Sequence, residues 1–377
     1  MMNDQWVDLG AGRGYTAPNT EVYPWQWLWD SCFHVVIWAE LGRSDRAVAE
    51  LEEVLVNQDA LGFVPHMNYQ LDPAAPEEFW GRSASSCITQ PPMFGHAYAE
   101  LVRRDIEVPV GLFDACARGL EFLVEHRQRS DDGLVLLCHP WETGTDDSPR
   151  WDDACPGGFD IDRWRAHKSH LVSTVVLAEG GSPVFNPEFQ VSSAGFNALI
   201  AFNVFELLSV AGSEAGSGVD RVALEERANQ LVEAVDRRWN GETWVDGGTD
   251  SPSSGAARTA DGLLPLLVSE DSSAVASAIA ALVDPESYGG PFGPAGVHRA
   301  EPTYEPNTYW RGPAWPQLSY LLWVAAKRRD ADCASTLASA LHHGASTSGL
   351  AEYWNIDTGA GIGARPQSWA GLGVLGS

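Results

Sequence analysis

An alternation of two kinds of helix constrains this chain more than any other feature. Stretches that are apolar on nearly every side, Ser31–Leu41, Pro92–Val102, Ser193–Val210, Thr259–Val268, Pro313–Ala326 and Pro366–Leu375, recur along its length. Between them lie amphipathic stretches, including Asp45–Asn57, Leu112–Gln128, Asp220–Trp239 and Ser272–Val283. An all-apolar helix must be buried on every side, whereas an amphipathic one covers a core with one face and meets water with the other. Five apolar–amphipathic pairs in succession, followed by a further apolar helix, predict two concentric shells, an all-α toroid. The periodicity leaves the twelfth helix of such a ring unplaced. Strand-like pieces such as Leu134–Leu137 are short. No low-complexity linker divides the chain, so residues 1–377 read as a single domain.

In such a toroid the loops that lead into the inner helices gather at one end, and long polar-aromatic loops on a rigid scaffold are where sites sit. Those loops hold many of the 16 tryptophans. Several of these fill core, but indole beside Asp, Glu, Gln and Arg also suits a sugar. The ring's C–H faces stack on indole while its hydroxyls seek polar partners. Tyr23–His34 (YPWQWLWDSCFH) sets Trp29 at a helix start, with Asp30 and Ser31 as N-cap residues and Asp30 as an acceptor for vicinal hydroxyls. In Thr89–Pro92, Gln90 stands just ahead of a Pro-led helix, while His66 reads as a packed loop histidine.

Two further segments supply carboxylates. Cys138–Asp153 (CHPWETGTDDSPRWDD), inside the long loop Asp131–Leu171, sets Glu142, Asp146, Asp147, Asp152 and Asp153 around Trp141 and Trp151. A carboxyl among indoles and other acids is desolvated and repelled, which favours the protonated form a general acid needs. Gly349–Ala370 contributes Glu352 ahead of a Gly-rich turn, which is no phosphate loop because no strand leads in and no Lys follows. Two carboxylates far apart in sequence form the pair that glycoside hydrolysis needs. Between them Thr308–Gln317 (TYWRGPAWPQ) places Tyr309, Trp310, Arg311 and Trp315 around a Gly-Pro helix start. Arg311 reads equally as a structural partner of a carboxylate and as a substrate contact.

Charge narrows the partners. With 24 basic and 51 acidic residues the net charge is −27, which repels nucleic acid and anionic membranes. No apolar run nears the ~18 residues of a membrane span and none marks a signal peptide, so a cytoplasmic location is expected. Lys168 and Lys327 are the only lysines. A GC-rich genome accounts for missing lysine but not for the charge, so the balance favours a salt-adapted, halophilic protein. None of the six cysteines forms a C-x-x-C pair, which points to buried free thiols rather than disulfides or zinc. No metal or cofactor is called for. The expected partner is a small-molecule carbohydrate, and the sequence carries no signal for oligomeric state.

In order, WLWDSCFH, TQPP, HPWETGTDDSPRWD, YWRGPAWPQLSYLLW and EYWNIDTGAG with QSWA resemble motifs of glycoside hydrolase family 63, from about Tyr23 to Trp369. The branch they resemble most is that of the short mannosylglycerate and glucosylglycerate hydrolases. The resemblance implies an (α/α)6 barrel and an inverting α-glycosidase acting on a small α-glucoside or α-mannoside. It implies Asp146 as general acid and Glu352 as general base. It also implies sugar contacts at Trp29, Asp30, Gln90, Trp141, Tyr309, Trp310, Gly312 and Trp315, with Tyr23 and Gln367 on the aglycone side. One departure is visible: glycerate-specific members hold the glycerate carboxylate with an Arg, yet no Arg stands between Arg165 and Arg221, where Lys168 is the basic candidate. Rival readings are a trehalase- or glucoamylase-like toroid and a non-catalytic sugar-binding paralogue; the presence of both carboxylates argues against the second.

Overall fold

In the computed structural model, which describes residues 1–212, 218–248 and 256–376, six inner segments close a ring. Leu28–Glu40 packs on Phe94–Arg103, which packs on Ala194–Ser209. The ring continues through the 3-10 segment Asp261–Leu267 and the helix Pro316–Lys327 to a second 3-10 segment, Ser368–Gly376, which returns to Leu28–Glu40. The inner segments are buried because they have no polar side to expose: every residue of Leu28–Glu40 except the last is buried. Each large apolar side chain so removed from water contributes about 1.5–3 kcal/mol.

The outer layer follows the amphipathic pattern. Ser44–Val54, Leu112–Glu125, Arg221–Asp236, Ser272–Val283 and Ala331–Thr347 each pack against the inner segment they follow, or against its neighbour. This is the (α/α)6 arrangement. The unplaced twelfth helix has no counterpart among the described residues. The closing segment Ser368–Gly376 packs instead on Ala331–Thr347 and on the short helix Met2–Gln5.

Three expectations need correction. Thr259–Val268 and Pro366–Leu375 are not α-helices but short 3-10 turns, Asp261–Leu267 and Ser368–Gly376. Pro265 lacks the N–H that would continue an α-helix, and the second segment is Gly-rich. Its glycines are needed: a Cβ at Gly376 would lie 3.0 Å from the Ala338 carbonyl carbon of the outer helix. The stretch Asp131–Leu171 is not all loop, because Ile161–Ser173 is helical. Leu134–Leu137 is buried but forms only an isolated bridge, Arg129 to Val135.

Strands occur only as two-stranded antiparallel pairs among the described residues, and several brace the loops at one end of the ring. Gln26–Trp27 pairs with Met67–Asn68, and Tyr353–Trp354 pairs with Gly361–Ile362. An ion cluster centred on the buried Glu206 ties three inner helices: Glu206 accepts from His96 Nδ1 at 2.7 Å, from Arg103 at 2.6 Å and from Arg328 at 2.6 Å. All six cysteines are buried and free. Among the described residues no helix is long and apolar enough to cross a membrane.

Candidate active site

The segments that lead into the inner helices meet around a cavity of about 240 Å³. Its walls are Tyr23, Trp27, Trp29 and Asp30 from the first such segment, His66, Met67, Trp80 and Gln90 from the second, and Trp141, Gly144 and Asp146 from the third. Tyr309 and Trp310 precede the fifth inner segment, and Glu352, Gln367 and Trp369 flank the start of the sixth. A wider chamber of about 740 Å³ adjoins it, sharing Tyr23, Trp141, Asp146 and Tyr309 and adding Asp147, Arg165, Lys168 and Arg311.

Asp146 is held by a loop that is rigid for identifiable reasons. Two 3-10 turns flank it, Pro140–Thr143 and Pro149–Ala154, each opened by a proline and capped by the preceding side chain, His139 or Ser148. Glu142 anchors the loop from beneath. It is fully buried, takes both guanidinium nitrogens of Arg127 at 3.0 and 2.7 Å, and accepts from the Cys138 amide at 2.7 Å. With both oxygens bonded and outside the cavity, Glu142 supports rather than reacts. Gly144 at φ +73° lies against the Trp29 indole, where a Cβ would overlap the ring.

The helix Ile161–Ser173 grips Asp146 twice from one face. Trp164 Nε1 donates to the Asp146 carbonyl at 2.8 Å, and four residues on Lys168 Nζ donates to Asp146 Oδ2 and to Asp147 Oδ1, each at 2.5 Å. Trp141 Nε1 also donates to Asp146 Oδ2 at 3.2 Å. Burial disfavours the Lys168 ammonium, but the two carboxylates outweigh it and raise its pKa, so it stays charged. Burial, reinforced by the charge of Asp146 and opposed by Lys168, raises Asp147.

Glu352 reaches the cavity from a tight hairpin. Its Oε1 accepts from the Tyr23 hydroxyl at 3.2 Å and its Oε2 from the Ala364 amide at 2.9 Å. Trp369 Nε1 bonds its backbone carbonyl at 2.9 Å. Burial raises the Glu352 carboxyl above its ordinary value, with Asp146 adding to the rise and the two hydrogen bonds opposing it. Across the same cavity Asp30 is pushed up to about 8, chiefly by burial, with a hydrogen bond from its own backbone opposing and Glu352 and Glu50 adding. At neutral pH Asp30 is therefore largely a neutral acid that can donate as well as accept. His66 is buried, bonded through Nδ1 to Ser86 Oγ at 2.6 Å, and lowered by burial to about 3, so it is neutral.

The remaining wall is aromatic, and some of its polar atoms have no partner in the protein. Trp310 stacks on Trp315 with centroids 3.6 Å apart, and Trp315 stacks in turn on Tyr353 at 4.5 Å. Trp27 Nε1, Trp310 Nε1 and Gln367 Oε1 are buried on cavity-lining residues without a hydrogen-bond partner. Such groups cost free energy unless something bonds them.

Residues 23–370 match the mannosylglycerate hydrolase MGH1-like glycoside hydrolase domain. This chain belongs to that family. It is therefore a glycoside hydrolase, of the family 63 branch that contains mannosylglycerate and glucosylglycerate hydrolases. It is 28% identical to a mannosylglycerate hydrolase of Rubrobacter radiotolerans over 98% of this chain and 94% of that one. It is 26% identical to a glucosylglycerate hydrolase of Mycolicibacterium hassiacum, again over 98% and 94%. The family 63 mannosylglycerate hydrolase of Thermus thermophilus, solved with Tris and D-glycerate, superposes with a TM-score of 0.80 at 24% identity and covers 100% of this chain and 97% of its own. The neutral trehalase Nth1 of Saccharomyces cerevisiae shares the fold alone, with a TM-score of 0.63 at 15% identity over 97% of this chain and 73% of the trehalase.

For this MGH1-like hydrolase the structure gathers Tyr23, Trp29, Asp30, Gln90, Trp141, Asp146, Tyr309, Trp310, Glu352 and Gln367 around the cavity, as the sequence led one to expect. Gly312 and Trp315 are not on its wall. Trp315 lies behind Trp310, and a Cβ at Gly312 would stand 2.7 Å from the Glu305 carbonyl carbon, so that glycine serves a close backbone approach. Neither Asp30 nor Ser31 caps a helix, because the helix already begins at Leu28; Ser31 donates to Glu50 at 2.5 Å. Trp151 is buried behind the Asp146 loop and bonds the Thr145 carbonyl at 2.7 Å. Arg311 forms a two-pronged pair with Asp152 at 2.7 and 2.6 Å. His66, read as loop packing, lines the cavity, as do Trp27, Trp80 and Trp369. Trp27 carried a usable signal, since it stands between Trp25 and Trp29.

Proposed function

We propose that this hydrolase inverts configuration at an α-glycoside of glyceric acid, with Asp146 protonating the leaving oxygen and Glu352 taking a proton from the attacking water. The observation that carries the reading is the pairing of Asp146 and Glu352 in one tryptophan-walled cavity of about 240 Å³. Each comes from a different end of the chain and each is oriented by named donors. An inverting pair needs its carboxyls about 6.5–9.5 Å apart so that a water fits beside the anomeric carbon. The Tyr23 hydroxyl and the Ala364 amide fix the Glu352 carboxylate, and burial makes it more basic than an exposed one. Trp29, Trp141 and Trp310 wall the sugar. Asp30 and Gln90 meet its hydroxyls.

The relatives' mannosyl- and glucosyl-glycerates fit the cations of the adjoining chamber, where a leaving group with a carboxylate would lie beside Lys168 and Arg165. The narrow inner cavity favours a single sugar unit over a polymer. The test is a panel of α-mannosyl- and α-glucosyl-glycerate, trehalose, kojibiose, nigerose and starch, with the first-formed anomer followed by proton NMR. The β-anomer should appear first from a glycerate α-glycoside. Asp146→Asn and Glu352→Gln should each lower turnover at least ~10²-fold while the fold is kept. Initial release of the α-anomer, or near-full activity in Asp146→Asn, would overturn the assignment.

A further inference from the structure

Lys168 does more than attract a carboxylate. We propose that it is a positioning residue through which an anionic leaving group switches on the general acid: the leaving group's carboxylate draws the ammonium away from Asp146, and Asp146 then takes up the proton it must deliver. This rests on the proposed roles of Asp146 and of a glycerate leaving group.

The geometry sets up the competition. Lys168 Nζ is within 2.5 Å of one oxygen of Asp146 and one of Asp147, and the side chain is nearly buried yet borders the outer chamber. An ammonium has three donors, and these two carboxylates use two of them. The third is available to a carboxylate arriving from the chamber. A lysine suits a movable contact, because it is a point charge on a flexible stem, whereas an arginine locks one carboxylate in a planar fork.

Charge counting gives the consequence. Two adjacent carboxylates with one ammonium carry −1. If the ammonium turns to a third carboxylate, Asp146 and Asp147 are left side by side in a half-buried setting, and like-charged neighbours of that kind share a proton. The other groups facing them do not replace the lost charge. Tyr23, Tyr309 and Glu352 are neutral or anionic, and His139, whose Nε2 bonds the Lys168 carbonyl at 2.8 Å, is lowered by burial to about 3. His167 is lowered as well, first by burial, and Arg165, whose charge also favours the ionised Asp147, has an exposed side chain that water screens. Arg311 is engaged by Asp152.

The step then balances. Asp146 gives its proton to the glycosidic oxygen as the bond from that oxygen to the anomeric carbon breaks. Water forms the new bond to the same carbon and passes its proton to Glu352. Asp146 draws the proton it delivers from solvent when Lys168 turns away and ends the step ionised, as it rests, while the protonated Glu352 gives its proton to solvent; Lys168 re-pairs with Asp146 when glycerate leaves. A neutral leaving group cannot take Lys168, so Asp146 stays paired and unprotonated. Selection for an anionic leaving group then appears in kcat as well as in KM.

The experiment compares α-mannosyl-glycerate with α-mannosyl-glycerol, which differ in the carboxylate and little in size, using the full-length protein and its Lys168→Met variant. Each rate is divided by that on α-mannosyl fluoride, whose leaving group needs no proton, so that loss of fold or of the sugar site cancels. The wild type should favour the glycerate in kcat by at least ~10²-fold, the scale of one general acid. Lys168→Met should bring that ratio below ~10, and should turn over the glycerol glycoside faster than the wild type does at pH 6. A lysine with a merely structural role would lower both substrates alike, and that outcome overturns the proposal, as does a wild type that shows no preference in kcat. Asp146→Asn separates the two levels of inference. If it still cleaves mannosyl-glycerate the assignment of the acid has failed; if it does not, while Lys168→Met slows both glycosides equally, only the switch has failed.

Discussion

Gly363 tests the proposed base without touching its carboxylate. It has φ +76°, and a Cβ added there would overlap Glu352 Oε2, standing 2.7 Å from Tyr353 Cε1 and 2.9 Å from Glu352 Cβ. Ordinary contact begins near 3.4 Å, so Gly363→Ala must move the Glu352 side chain or its hairpin by about 1 Å. A shift of that size at reacting groups costs on the order of 10²-fold in rate. The left-handed backbone adds roughly 1–2 kcal/mol of destabilisation. For 377 residues the unfolding entropy is about 0.8 kcal/mol/K, so this cost lowers the melting temperature by only about 1–3 °C. Gly42→Ala is the control, since Gly42 has φ +69° with nothing near its missing Cβ. It carries the same backbone cost and no clash. The pair is compared by thermal melts and by kcat on a substrate cleaved by the wild type. Both variants should melt a few degrees lower, while Gly363→Ala alone should lose about 10²-fold in kcat. Equal kcat values for the two would refute the reasoning that Glu352 must sit where the hairpin holds it.

Asp30, pushed up to about 8 by burial, binds a proton in the folded protein that an unfolded Asp holds only below about 4. Its contribution to stability is therefore present at low pH and lost as pH rises towards 8. Asp30→Asn should flatten the fall in melting temperature between pH 5 and 8 relative to the wild type, and an unchanged pH profile would count against a protonated Asp30. Removing Arg127 leaves a buried Glu142 without its partner, so Arg127→Met should destabilise by about 3–5 kcal/mol in denaturant unfolding; a change under ~1 kcal/mol would contradict the anchoring role. With a net charge of −27 and two lysines, the protein should melt higher and work faster as salt rises from dilute to ~1 M, because screening relieves self-repulsion. A melting temperature that falls over that range would leave codon bias as the explanation of the composition.

The ring of helices was legible because its signal is long-range repetition. Six apolar stretches each bury most of their residues, and an inner layer accommodates them. The two inner segments that turn out to be 3-10, Asp261–Leu267 and Ser368–Gly376, have the right hydropathy but the wrong backbone chemistry. Pro265 was a visible warning. The helix Ile161–Ser173 was hidden for the opposite reason. Its buried positions are Trp164, Lys168, Leu171 and Val172, spaced as a helix face should be, but a lysine occupies the position where an apolar residue would complete the stripe.

That interruption also explains what the sequence could and could not say about the site. The tryptophans stand out because so many lie in loops, and the carboxylates because they sit beside them, so Asp146 and Glu352 could be singled out from setting and motif. Which neighbour faces which depends on chain crossings that no local pattern encodes. Trp151 follows Asp146 by five residues and turns away into the core, whereas Lys168, twenty-two residues on, meets its carboxylate at 2.5 Å. The helix Ile161–Ser173, which the sequence left inside a long loop, brings that ammonium to Asp146. A lysine buried on a helix face pays a desolvation penalty that an apolar side chain avoids, and here the penalty is met by the two carboxylates of Asp146 and Asp147. The break in the hydrophobic pattern and the unusual charge arrangement around Asp146 thus have one cause.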